Sequence, residues 1–128
     1  MIDFYITSLG CKLNQAEVES LSRRVEMLGH KVVADLQEAD WAIVNTCTVT
    51  HVAARKSRQL IRGLHRENEE LKLAVTGCYA EISPQELGAI EGVDIVVSNA
   101  EKDAIVERIL SHEDEEWLEI RKRVVRPT

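Results

Sequence analysis

Trp41-Ala42-Ile43-Val44-Asn45-Thr46-Cys47 is the stretch that decides the fold. From Trp41 to Val44 every position is apolar, so neither set of alternating side chains is left for solvent. That pattern marks a short strand buried on both faces, the kind found inside a parallel sheet covered by helices. The run is followed by a cysteine. Two other short apolar runs behave alike: Phe4-Tyr5-Ile6 precedes Cys11, and Leu73-Ala74-Val75 precedes Cys78. Each cysteine has a small or turn-forming neighbour: Gly10, Thr46 or Gly77. Glycine there either lets the backbone approach a bound group closely or makes a tight turn.

Working outward, strands are predicted at Ile2–Thr7, Lys31–Ala34, Trp41–Asn45, Leu71–Thr76 and Val93–Val97. Helical spacing of Val18, Leu21, Val25 and Leu28 predicts a helix over Asn14–Leu28, stopped by Gly29. Glu38-Ala39-Asp40 forms a turn. Thr48 or Thr50 can cap a long helix reaching about Glu69. Ser83-Pro84-Gln85-Glu86 combines a cap, proline at the first helical position and an acid in the first turn, and that helix ends near Gly92. A last helix opens at Asn99 or Ala100 and ends near Leu110. Strands alternating with helices predict an α/β, flavodoxin-like or Rossmann-like three-layer sandwich. Its sheet is five-stranded and mostly parallel, with order 2-1-3-4-5. In that order the three strands followed by cysteine are neighbours, and ligand sites of open α/β sheets lie at the carboxyl ends of strands near the switch point.

The chain has 128 residues, 45% hydrophobic and 30% charged, which is enough for one domain with its own core. Residues 1–110 read as that domain and 111–128 as a linker or tail. No run approaches a membrane span and no secretory signal is recognisable, so a cytoplasmic location is expected. The net charge of −6 excludes a domain that wraps nucleic acid with its whole surface. The tail holds five acids and then four bases; its −1 leaves −5 for the rest. Any nucleic-acid contact must come from a local patch.

In a reducing compartment three thiols point to metal or catalysis rather than disulfides. Their spacings, 36 and 31 residues, exclude a local finger. Three readings stand at this point. The cysteines are small core hydrophobes. They hold zinc, which in structural sites takes four protein ligands. Or they hold an iron–sulfur cluster with one iron left open.

Ser8-Leu9-Gly10-Cys11-Lys12-Leu13-Asn14, Asn45-Thr46-Cys47-Thr48-Val49-Thr50 and Thr76-Gly77-Cys78-Tyr79-Ala80 resemble the N-terminal domain of the radical-SAM methylthiotransferases over about residues 1–110. With Lys56-Ser57-Arg58-Gln59, these stretches look most like the branch acting on N6-threonylcarbamoyladenosine next to the tRNA anticodon. Other branches act on isopentenyladenosine or on ribosomal protein S12. The resemblance implies that Cys11, Cys47 and Cys78 ligate an auxiliary 4Fe-4S cluster that supplies the inserted sulfur. It further implies S-adenosylmethionine and a second 4Fe-4S cluster in the full-length enzyme, on a radical-SAM domain joined to a C-terminal RNA-binding domain. The second cluster's CxxxCxxC motif does not occur in this sequence, so the chain alone is expected to be inactive. The alternative from another class is a zinc-bound or metal-free module that docks tRNA or a partner.

Around the cysteines, Gly10, Asn14, Asn45, Thr46, Thr48 and Gly77 are candidates for bonding a cluster sulfur or fixing a cysteine loop. Asn45 reads equally as turn chemistry, and Asn14 as a helix cap. On the helix after Cys47, Arg55, Arg62 and Arg66 fall within a narrow sector with Arg58 close by, opposite Ala53, Ser57, Leu60, Ile61 and Leu64. This row could hold phosphates of an anticodon stem-loop, or be a solvated face. His30, His51, His65 and His112 do not cluster, and neither GxGxxG nor a P-loop is present.

Overall fold

The computed structural model describes residues 2–8, 13–46, 51–98, 101 and 104–113. Five strands form one parallel sheet: β1 (Asp3–Ser8), β2 (Lys31–Val32), β3 (Trp41–Thr46), β4 (Lys72–Gly77) and β5 (Val93–Val96). Their order is β2-β1-β3-β4-β5, as the alternation of elements predicts. The helices are α1 (Leu13–Met27), α2 (His51–Glu67), α3 (Cys78–Ile82), α4 (Pro84–Gly88) and α5 (105–113). A 3-10 turn covers Leu36–Glu38, capped by the Asp35 carboxylate, which accepts from the Gln37 N–H at 3.0 Å.

Every residue of β3 is buried, and all but the first of β4. Because successive strand side chains point to opposite faces, β3 feeds two separate cores. Ala42 and Val44 join Leu73 and Val75 beneath Ile61, Leu64, Tyr79 and Leu87 of α2, α3 and α4. Trp41 and Ile43 join Phe4 and Ala74 beneath Leu21 and Val25 of α1 and Ile105, Val106 and Ile109 of α5. The sheet is thus the middle of three layers. Among the described residues no helix is long and apolar enough to cross a membrane.

Most element ends fall within one or two residues of expectation; three boundaries and one additional helix stand apart. β2 is only two residues long and, as an edge strand, pairs on one side alone, with β1. The helix opened by Ser83 and Pro84 ends at Gly88 rather than near Gly92. Gly92 instead takes a φ of +97°, where an added Cβ would lie 2.6 Å from the His65 ring. α5 continues to residue 113 instead of ending near Leu110. Glu113 is held by the Trp41 indole N–H, which donates to its Oε1, and by the Lys72 ammonium 3.1 Å from the same oxygen. Finally, a helix not anticipated from the sequence, α3, begins on Cys78 itself.

Candidate functional site

The pairing register brings the carboxyl ends of three strands level. Ser8 of β1 is opposite Asn45 of β3, and Asn45 is opposite Thr76 of β4; one residue further, Thr46 is opposite Gly77. Cys47 and Cys78 are the residues that follow this last paired row, and Cys11 lies three residues past Ser8. Cys11, Cys47, Gly10 and Thr48 lie outside the described residues. Cys78 is a free, exposed thiol.

The junction before Cys78 is tightly built. Gly77 has φ +103° and ψ −168°, a conformation open to glycine because it lacks Cβ. A Cβ there would stand 2.4 Å from the Thr46 carbonyl oxygen, 2.5 Å from Asn45 Oδ1 and 2.7 Å from the Thr46 nitrogen. Gly77 is therefore required by close approach as well as by φ. Thr46 Oγ1 donates to the Thr76 carbonyl at 2.6 Å, tying β3 to β4 at this row. Thr76 Oγ1 in turn contacts the Ser98 carbonyl at 3.5 Å. Asn45, Thr46 and Thr76 are all buried.

These positions separate the readings of the candidate residues. Asn45 is not a turn residue: it is buried within β3, its carboxamide oxygen against the Gly77 α-carbon. Asn14 is the second residue of α1. His51 is exposed at the start of α2. Ser57, Ile61 and Leu64 are buried on the core side of α2, with Leu60 and Ala54 packed against the same cluster. Arg55, Arg62 and Arg66 are exposed. Arg62 and Arg66 share a shallow groove with His65 and Glu91.

Arg58 does not belong with them. Its Nη1 donates to the Tyr79 hydroxyl at 2.8 Å and to Glu86 Oε1 at 3.2 Å. The Tyr79 hydroxyl donates to the same carboxylate oxygen. Burial, then the bond to Glu86, pushes the Tyr79 phenol above its ordinary value, against the opposing pull of Arg58. The bond that Arg58 donates to the Tyr79 hydroxyl raises the already high Arg58 value further.

Among the described residues no group of three metal-ligating side chains comes together; only one of the three cysteines is in that set. Residues 3–98 match the family described as "Uncharacterized protein family UPF0004". The chain is 41% identical over 108 residues to the threonylcarbamoyladenosine tRNA methylthiotransferase MtaB of Bacillus subtilis, covering 84% of this chain and 24% of that protein. It is 40% identical over 118 residues to the protein of the same name from Aquifex aeolicus, covering 92% and 28%. A tRNA-2-methylthio-N(6)-dimethylallyladenosine synthase of Dehalococcoides mccartyi is 37% identical over 81 residues, covering 61% and 19%. The chain thus spans about a quarter of the length of the curated relatives it matches first.

Two outcomes follow from the geometry. Gly77→Ala should cost roughly 2–5 kcal/mol in urea unfolding, summing strain at positive φ and overpacking. Gly29→Ala, at φ +87° with nothing within 4 Å of an added Cβ, should cost only about 1–2 kcal/mol. Equal losses would show that close approach to Thr46 is unimportant. The second concerns alkaline pH. A phenol whose folded value is raised contributes stability that is fully present below its unfolded value of about 10 and is lost as pH rises through the folded one. Tyr79→Phe should therefore flatten the fall in stability above pH ~10, and an unchanged alkaline limb would refute that assignment.

Proposed function

The chain belongs to the uncharacterized protein family UPF0004, and from that premise we propose that it is the sulfur-supplying domain of a cytoplasmic tRNA methylthiotransferase. Cys11, Cys47 and Cys78 would hold an auxiliary 4Fe-4S cluster through three thiolates. The observation that carries this reading is the level row Ser8–Asn45–Thr76. Neighbouring strands lie about 4.8 Å apart, so the outer two of three adjacent strand ends are separated by about 10 Å. Cysteines two or three residues beyond such a row need only short loops to converge. Three thiolates leave one iron without a protein ligand, and such a cluster, when bound, supplies an open coordination position for sulfur.

The chain's own residues would do the positioning. Gly77 lets β4 turn into α3 directly against Thr46, which places Cys78 at the sheet edge. The buried Asn45 and Thr46 hold the end of β3 from which Cys47 follows. Activation of S-adenosylmethionine would belong to the remainder of the longer enzyme, with its own 4Fe-4S cluster, and the chain alone would not turn over. The 40% and 41% matches to threonylcarbamoyladenosine enzymes favour that nucleoside in tRNA as the substrate. The 37% match to a dimethylallyladenosine enzyme supports the second reading, an isopentenyl-type adenosine.

Arg55, Arg62 and Arg66 would contact phosphates of the anticodon stem-loop. They lie about 6 to 22 Å along α2 from its first residue, at 1.5 Å per residue. That helix begins four residues after Cys47, so the row leads away from the cysteine edge.

After anaerobic reconstitution, iron and sulfide should each approach about four per chain. A Cys11→Ala/Cys47→Ala/Cys78→Ala variant should bind neither. Zinc in place of iron, or equal iron in the triple variant, would sink the cluster reading. Separately, Arg55→Gln/Arg62→Gln/Arg66→Gln should weaken stem-loop binding. It should also reduce the slope of log affinity against log salt by about 0.7–0.9 per lost phosphate contact. An unchanged slope would mean that the row is only a solvated face.

A further inference from the structure

Two sequence stretches far apart in the chain, Lys56–Gln59 and Cys78–Ala80, meet through one hydrogen bond, from Arg58 Nη1 to the Tyr79 hydroxyl. The Glu86 carboxylate closes the cluster by accepting from both. Arg58 belongs to α2, Tyr79 to α3 and Glu86 to α4. The three side chains therefore tie three consecutive helices together at the residue next to Cys78.

α3 is five residues long, far below the length at which a helix holds its own shape in water. It has no capping side chain at its start, where Gly77 stands. Contacts outside α3 must therefore fix its position. Tyr79 and Ala80 supply the buried face. The Tyr79 carbonyl also accepts from the Ser83 N–H at 2.9 Å, closing the helix at its far end. A phenylalanine at position 79 would fill the same core space and need no partners. The hydroxyl adds direction: it allows one rotational setting of α3, the one that meets Arg58 and Glu86. Charged clusters of this kind contribute little net stability, and their best-attested use is to fix one arrangement among several.

We propose that Arg58, Tyr79 and Glu86 form a positioning clamp that sets the place of the Cys78 thiolate among the three ligands, with Arg58 serving this clamp and not the phosphate row. This rests on the reading of Cys78 as a cluster ligand. Cys78 is then held from both sides. On one side Gly77 is pressed against the Thr46 backbone. On the other, Tyr79 is fixed by its ring, its carbonyl and its hydroxyl. A ligand set works only when its atoms are held within about 0.5 Å of the productive geometry by supporting contacts. The first residue of a five-residue helix lacks that precision without such support.

The test uses the reconstituted chain and the variants Tyr79→Phe, Arg58→Met, Glu86→Gln and Arg58→Lys. Tyr79→Phe keeps the ring, so the fold is retained. Loss of iron to a chelator should be about tenfold faster in Tyr79→Phe and Arg58→Met, the scale seen when a partner behind a metal ligand is removed. The electron paramagnetic resonance spectrum of the reduced cluster should shift in the same variants. Arg58→Lys, which can still reach one partner as a point charge, should recover part of the resistance. A lower unfolding temperature of the metal-free chain with unchanged iron release and spectrum would make the Arg58–Tyr79–Glu86 contacts structural only and overturn the proposal. Iron bound normally by the wild type and all variants overturns the clamp alone. No iron in the wild type overturns the ligand reading and the clamp with it.

Discussion

No side chain fits between the Thr46 carbonyl and the α-carbon of Gly77, and the carboxyl edge of the sheet is organised around that contact. β4 leaves the sheet at φ +103°, so the chain turns at once instead of continuing the ladder. Cys78 consequently becomes the first residue of α3 and stays at the strand end. The same closeness buries Asn45 and Thr46, whose polar groups must then find partners inside. Thr46 does so through Oγ1, on the carbonyl of the residue preceding Gly77. A glycine, a threonine and an asparagine thus form one packed unit between two strand ends. With a side chain at position 77 the ends of β3 and β4 would have to shift, and the setting of Cys78 with them.

The two edges of the sheet are finished by different chemistry. At the amino edge the strands begin with N–H groups that acids accept. Asp40 accepts from the Asp3 N–H at 3.0 Å, and Asp94 from the Leu73 N–H at 3.0 Å. Glu113 joins the indole of Trp41 to the ammonium of Lys72, which also lies 5.7 Å from the Trp41 ring centroid. His112 meets the same ring edge-on at 5.7 Å. These contacts pin α5 across the start of β3 and β4. The carboxyl edge, where ligands bind in open α/β sheets, instead carries an exposed thiol.

The strand order was legible because it follows from local pattern: buried runs at Trp41–Val44 and Leu73–Val75, each separated from the next by helical spacing. What stayed hidden depends on long-range partners or on elements too short to show a period. α3 has no room for a full helical repeat, and its start is masked by glycine, which signals a turn rather than a cap. On a helical wheel Arg58 sits near the exposed arginines; only Tyr79 and Glu86, 21 and 28 residues away, draw it aside. His112 and Glu113 look like the start of an acidic tail until Trp41 and Lys72 are brought beneath them. Asn45 reads as a turn residue because asparagine is rare inside strands. Its burial in β3 makes sense only once Gly77 leaves space beside it. The proposed convergence of the three cysteines rests on the strand register, since Cys11 and Cys47 lie outside the described residues.

α2 shows how few degrees of freedom this arrangement leaves. Its core face, Ser57, Ile61 and Leu64, fixes its rotation against the sheet. That rotation then decides where every other side chain of the helix goes. A slip of one residue would turn the helix by about 100°. Arg58 would leave Tyr79, and Arg62 and Arg66 would leave the groove they share with His65 and Glu91. The packing that stabilises the domain is therefore also what aims one arginine at the neighbour of Cys78 and three others outward. The two sets differ in their electrostatic setting. Arg58 has a carboxylate partner within 3.2 Å, so its charge is compensated inside the fold. Fixing a helix of the domain and meeting a polyanion call for opposite treatment of the same side chain: pairing the cation in the first case, leaving it to solvent in the second.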